Sequence, residues 1–110
     1  MGIKGDKNTS EASQTADLLL SKLEVLNDIS AKKMFGGYGI FKKGKMFGMV
    51  DSKGQTYFKA DENSSVFFTE KGSEKHSKMP YYLIPSAVIE EYDVLLEWAN
   101  VGIKSALKQG

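Results

Sequence analysis

Between residues 29 and 59 the chain is cut by glycine-bearing loops into four apolar-rich runs, at 29–35, 38–42, 45–50 and 55–59. The last three are parted by a two-residue loop, Lys43-Gly44, and a four-residue loop, Asp51-Ser52-Lys53-Gly54. Parallel strands need a crossover of about a dozen residues, so loops this short force antiparallel neighbours. In both loops glycine supplies the positive φ that tight hairpins require. A meander of this kind has two faces and cannot hide both by itself, so helices must cover one of them.

The flanks supply those helices. Ala12, Ala16, Leu19, Leu20, Leu23 and Leu26 recur at helical spacing, with Leu18 and Val25 widening the stripe, and Asn27-Asp28 ends the pattern. Asp61 is placed to cap a short helix over 62–71, closed by Gly72, with Val66 and Phe67 as its buried contacts. Residues 73–78 form a charged connector into a fifth apolar run at 79–84, which Pro85 stops and after which Ser86 is a natural N-cap. Asp93 then caps a last helix whose apolar face is Leu95, Leu96, Trp98, Ala99, Ile103 and Leu107. Gly102 inside it weakens the helix by up to about 1 kcal/mol unless a close neighbour needs the space. The expected fold is α+β: a two-layer sandwich with a central antiparallel meander sheet packed on N- and C-terminal helices. At 110 residues the chain fits one domain, read as 11–110 behind a flexible tail at 1–10.

Composition narrows the chemistry. There are no cysteines, which excludes disulfides, thiolate catalysis and cysteine-ligated metal, and one histidine, His76, which excludes most imidazole metal sites. His76 stands among Glu74, Lys75, Ser77 and Lys78 and reads as a solvated loop residue. All fifteen basic residues are lysine. Arginine's planar fork is the usual reader of guanine and phosphate, so base-specific DNA recognition is disfavoured, and a net charge of +1 gives no general attraction to nucleic acid. No run approaches the roughly 20 apolar residues of a spanning helix, and Met1 to Asp6 lacks a signal-peptide core, so the expectation is a cytoplasmic protein without membrane contact.

Motif searches return mostly coincidences. Gly39, four residues, then Gly44-Lys45 has phosphate-loop spacing, but Met46 stands where Ser or Thr would hold magnesium, and the context is a hairpin rather than a strand-to-helix turn. Gly36-Gly37-Tyr38-Gly39 lacks the third glycine and the helix of a dinucleotide fingerprint. Asp61-Glu62 and Glu90-Glu91 are adjacent pairs whose side chains diverge, and no serine lies in a nucleophile elbow. The residues therefore point to no catalytic set, metal or cofactor. Lys42, Lys43 and Lys45 beside Phe35, Tyr38 and Phe41 could hold single strands by phosphate attraction and stacking, although edge lysines also serve solubility.

From Lys33 to Phe41 the run Lys-Met-Phe-Gly-Gly-Tyr-Gly-Ile-Phe resembles the TfoX N-terminal domain family, the Sxy-type regulators of natural competence. The likeness continues through Met46-Phe47, Tyr57-Phe58-Lys59, Gly72-Ser73, the segment Met79-Pro80-Tyr81-Tyr82-Leu83-Ile84-Pro85, and Leu96-Glu97-Trp98-Ala99. It spans about residues 12 to 108 and implies a two-layer α+β fold; full-length relatives add a second, helical domain, so the expectation is either a piece of such a regulator or a free-standing, single-domain form. It also implies a non-enzymatic coactivator that contacts a cAMP-receptor-type transcription activator. Met34, Phe35, Gly36, Gly37, Tyr38, Gly39, Tyr81, Tyr82, Pro85 and Trp98 form the family motif, and their residue types suit core packing and tight turns more than binding. A partner surface is expected at Lys42, Lys43, Lys45 and at Tyr81-Tyr82, because one of two consecutive strand side chains faces outward. The alternatives are nucleic-acid binding by the lysine hairpin, and small-molecule sensing in a pocket between sheet and helix. A homodimer through an exposed edge strand is a further expectation.

Overall fold

The computed structural model describes residues 10–34, 36–77 and 79–108. The tail expected at 1–10 falls, but for Ser10, outside the described residues, as do Phe35 and Lys78. The elements run α1 (Ser10–Leu23), a 3-10 turn (Glu24–Leu26), β1 (Ile29–Met34), β2 (Gly37–Lys42), β3 (Lys45–Val50), β4 (Thr56–Lys59), α2 (Ser65–Glu70), β5 (Tyr81–Ile84), α3 (Ser86–Glu90) and α4 (Tyr92–Lys108). The five strands form one sheet in chain order, every neighbour antiparallel, as the short loops require. Lys43 and Gly44 both take positive φ, +52° and +82°, the pattern of a type I′ hairpin turn whose twist matches the strands.

Register decides which side chains meet the helices. Ala31, Ile40, Gly48, Phe58 and Tyr82 pair across the five strands and so share one face. That face is buried: Ile40 and Phe58 are fully enclosed together with Leu19 and Leu23 of α1 and Leu95 and Ala99 of α4. Burying each large apolar side chain contributes roughly 1.5–3 kcal/mol. The pairing slips between Ile40 and Phe41, leaving Phe47 as the extra residue of a bulge. The bulge lets Phe47 enter the core, where its ring lies 5.7 Å from that of Phe58, while Met46 stays opposite Phe41 on the other face. Gly102 lets α4 approach the sheet. A Cβ there would stand 3.2 Å from the Phe47 carbonyl oxygen and 3.2 Å from Phe58 Cβ, so the helix-propensity cost is offset by close packing.

Several local expectations are corrected. The apolar stripe of α1 is narrow: Ala12, Ala16, Leu19 and Leu23 are buried, whereas Leu18 and Val25 are about half exposed, Val25 because the 3-10 turn changes the helical phase. Helix α2 starts at Ser65 rather than 62, since residues 62–64 make a separate turn, and the later start buries Phe68 and leaves Val66 exposed and Phe67 half-buried. Ser86 is the first residue of α3, and the cap position belongs to Pro85, with no side-chain cap bond. Asp93 sits inside the first turn of α4, which begins at Tyr92. Leu107, near the end of α4, is 44% exposed. Gly72 closes α2 as expected, with Gly72 N–H bonded to Thr69 O and Ser73 N–H to Phe68 O, a Schellman arrangement.

The segment 73–77 is not a free connector. His76 N–H donates to Tyr81 O at 2.7 Å, Leu83 N–H donates to Glu74 O at 2.8 Å, and Lys75 bridges to Tyr82. It therefore lies along the outer edge of β5 and satisfies backbone groups there, while no strand among the described residues pairs with the outer edge of β1, which carries exposed Lys32 and Lys33.

Candidate functional site

The glycine-rich motif is a tight link between β1 and β2. Gly36 turns the chain at φ +80°, and Gly37 opens β2 so close to β3 that a Cβ would fall 1.9 Å from Val50 O. Tyr38 pairs with Lys33 and Val50 and is half-buried. Gly39 plays a different part. Its missing side chain leaves room for the sulfurs of Met34 and Met46, which lie 2.7 and 3.2 Å from where its Cβ would be. Trp98 is buried against Phe67 and Phe68, and Pro85 is exposed where β5 gives way to α3.

The lysines of the β2–β3 hairpin divide. Lys43 and Lys45 are exposed, but Lys42 reaches back to the end of the 3-10 turn, where Nζ donates to Leu26 O and, at 2.8 Å, to Asn27 O. It satisfies carbonyls that a helix end otherwise leaves open, so it is a structural clamp rather than a free surface cation. Lys42→Met is expected to lower stability by about 1–2 kcal/mol, read from urea unfolding, because charge-assisted bonds to carbonyls are lost. Lys43→Met should change it by less than about 0.5 kcal/mol.

Tyr81 and Tyr82 are not an exposed pair. They point to opposite faces, as alternation demands, yet both are buried, at 5% and 8% exposure. Tyr82 stacks on Phe68 within the helix-side core, with rings 5.5 Å apart and nearly parallel. Tyr81 faces the other way, its backbone oxygen accepting from His76 N–H, and burial raises its phenol pKa. The tyrosines therefore leave the expected partner surface, which reduces to Lys43 and Lys45.

The face away from the helices holds a feature the sequence reading did not assemble. Gly39, Met49, Tyr57 and Leu83 pair across this face. A cavity of about 580 Å3 is lined by Met34, Met46, Met49, Met79, His76 and Tyr81, among others. His76 is not solvated as expected: it is half-buried, its ring meets Tyr57 edge-on with centroids 4.7 Å apart, and Nδ1 is buried without a hydrogen-bond partner. Burial first, then the Asp51 carboxylate, raises the Tyr57 phenol, which keeps it a neutral donor toward Asp51 and Gln55. The one sequence signal for this site is that four of the five methionines fall between residues 34 and 79.

A second cluster surrounds Asp61. Its carboxylate accepts from Ser64 N–H at 2.8 Å and from Ser64 Oγ at 3.0 Å, while Ser64 Oγ lies 2.7 Å from Ser105 Oγ of α4. The Ser64 backbone bond chiefly holds the Asp61 carboxyl below the ordinary carboxylate range, and Lys108, 3.5 Å away, adds to this. A folded-state pKa below the unfolded value gives stability that is present above the unfolded pKa and lost as pH falls through the folded one. Asp61→Asn is therefore expected to lower Tm at pH 7, with the gap to wild type closing below about pH 4. Among the described residues no group of three or more His, Cys, Asp or Glu is placed to hold a metal ion, and no helix is long and apolar enough to cross a membrane.

The family model for the TfoX N-terminal domain matches residues 21–106. The chain belongs to the TfoX N-terminal domain family. The match covers all five strands, α2, α3 and α4 up to residue 106, so the motif glycines and the aromatic core around Trp98 lie within the family's domain. A comparison with curated proteins gives no match. Membership makes this TfoX N-terminal domain a competence-related regulatory domain of α+β architecture.

Proposed function

We propose that this TfoX N-terminal domain is a non-enzymatic regulatory module that acts by contacting another protein, a transcription activator of the cAMP-receptor type. The family match over residues 21–106 carries this reading. The geometry adds a fitting surface: the β2–β3 hairpin projects Lys43 and Lys45 into solvent beyond the clamp made by Lys42. Two hydrated point charges on a rigid turn suit an acidic patch on a partner and would act mainly on association rate and salt dependence.

The same hairpin favours a second reading, in which the lysines meet nucleic-acid phosphates directly. A tagged pull-down from host lysate, split with and without nuclease and read by mass spectrometry, separates the two. Recovery of the activator in both arms, reduced by the double change Lys43→Glu and Lys45→Glu, is the expected result. Loss of all recovered protein on nuclease treatment would overturn protein contact in favour of nucleic-acid binding.

A further inference from the structure

The two outer edges of the sheet are finished differently. Beyond β5, which is four residues long, the 73–77 return takes up backbone groups. At the opposite end β1 is six residues long and pairs with β2 through all six with no shift of register. No described strand pairs with its outer side. A row of backbone N–H and C=O groups along a regular edge is a template for one more strand. Many edges refuse such pairing by being short, bulged or broken by proline, and β1 is none of these.

The deterrent on β1 is charge, and charge discriminates between strands. Lys32 and Lys33 are both exposed, and neither forms an ion pair with a described carboxylate. Lys32, opposite Gly39, stands on the helix-free side of the sheet, whereas Lys33, opposite Tyr38, stands on the helix side with Ala31. An added strand therefore meets a lysine on each of its faces, at two successive positions. A second copy of β1 would bring four lysines to one seam, and like charges across strands are destabilising. Residues 1–9, with Lys4 and Lys7 against Asp6, do not complement the seam either. Two successive carboxylates on an extended segment do, through one cross-strand ion pair on each face.

We propose that the outer edge of β1 takes an extended acidic segment of a partner protein as a sixth strand, with two successive Asp or Glu residues opposite Lys32 and Lys33. Backbone bonds to β1 supply the affinity, and the carboxylates select the segment and fix its register. This edge is separate from the exposed Lys43 and Lys45, and the inference does not depend on which protein meets that hairpin.

The test uses the full chain labelled with 15N and the capped peptide Thr-Val-Thr-Asp-Glu-Thr-Val-Thr, read by amide shifts and hydrogen exchange. In the free chain the outward amides of β1 are expected to exchange fast; the peptide should protect them and give saturable shifts centred on residues 29–34. Lys-Lys in place of Asp-Glu in the peptide should abolish binding, and Lys32→Glu with Lys33→Glu should reverse that preference. Two further peptides carry N-methyl groups on alternate residues, one in each phase. Both keep the charges, but only one phase removes the amides that face β1, so their affinities should differ by roughly tenfold or more. Lys43→Glu with Lys45→Glu should still bind the acidic peptide at β1. Should the Lys32 and Lys33 variant fail to fold, the four peptides on the wild-type chain carry the test. Outward β1 amides already protected in the free chain, by a second copy or by its own residues 1–9, would overturn the proposal. So would shifts centred on residues 43–45, shifts that do not saturate, equal binding of the acidic and lysine peptides, or equal binding of the two N-methylated ones.

Discussion

Gly37→Ala is expected to destabilise the domain by about 3 kcal/mol, the most severe effect of a single methyl group on this chain. The added Cβ would fall 1.9 Å from Val50 O and about 3 Å from the adjoining backbone of Val50 and Asp51. No rotamer change relieves a clash between backbone atoms, so β2 and β3 must separate where Tyr38 pairs with Val50. For a domain of this size such a loss corresponds to a fall in Tm of roughly 10–20 °C. Gly39→Ala is the control. Its Cβ would meet the sulfurs of Met34 and Met46 and the ring edge of Phe41, all flexible side-chain ends, and its cost should be about 1 kcal/mol or less. Thermal unfolding of the two variants side by side checks the contrast, and equal Tm values would contradict the distinction between a packing glycine and a cavity glycine.

The second large effect is Phe68→Ala, expected to cost about 3–5 kcal/mol. Phe68 is fully buried, stacks on Tyr82 and meets Phe67 and Trp98 edge-on. Its loss opens a cavity where α2, β5 and α4 join. Val66→Ala, in the same helix but half exposed, should change stability by about 0.5 kcal/mol or less. Urea unfolding of both variants tests the phase of α2, and a larger effect at Val66 would place the helix in the register read from sequence.

These two positions show how far the sequence could be read. The glycines and the two- and four-residue loops left few ways to connect the strands, so the antiparallel order was legible from spacing alone. Helix α4 was legible because it is long and Leu95, Trp98, Ala99 and Ile103 repeat on one stripe. Helix α2 has only six residues, too few for periodicity to set its phase, and the Asp61–Ser64 turn ahead of it moved burial from Val66 and Phe67 to Phe68. The 73–77 return is held by backbone bonds to β5, which charged side chains do not advertise, and this concealed the burial of Tyr81. The same return brings His76 onto Tyr57 and completes the methionine cavity, whose lining comes from three separate stretches of chain. The clamp made by Lys42 is hidden from the sequence for a related reason, since its partners at Leu26 and Asn27 lie fifteen or more residues away.

The most direct measurement is fluorescence anisotropy of the purified domain, titrated with the host's cAMP-receptor-type activator bound to labelled promoter DNA, and in parallel with the DNA alone. Saturable binding to the activator complex, absent with DNA alone and weakened by Lys43→Glu with Lys45→Glu, is the predicted result. Equal binding to bare DNA that collapses between roughly 50 and 200 mM salt would contradict protein contact as the mode of action.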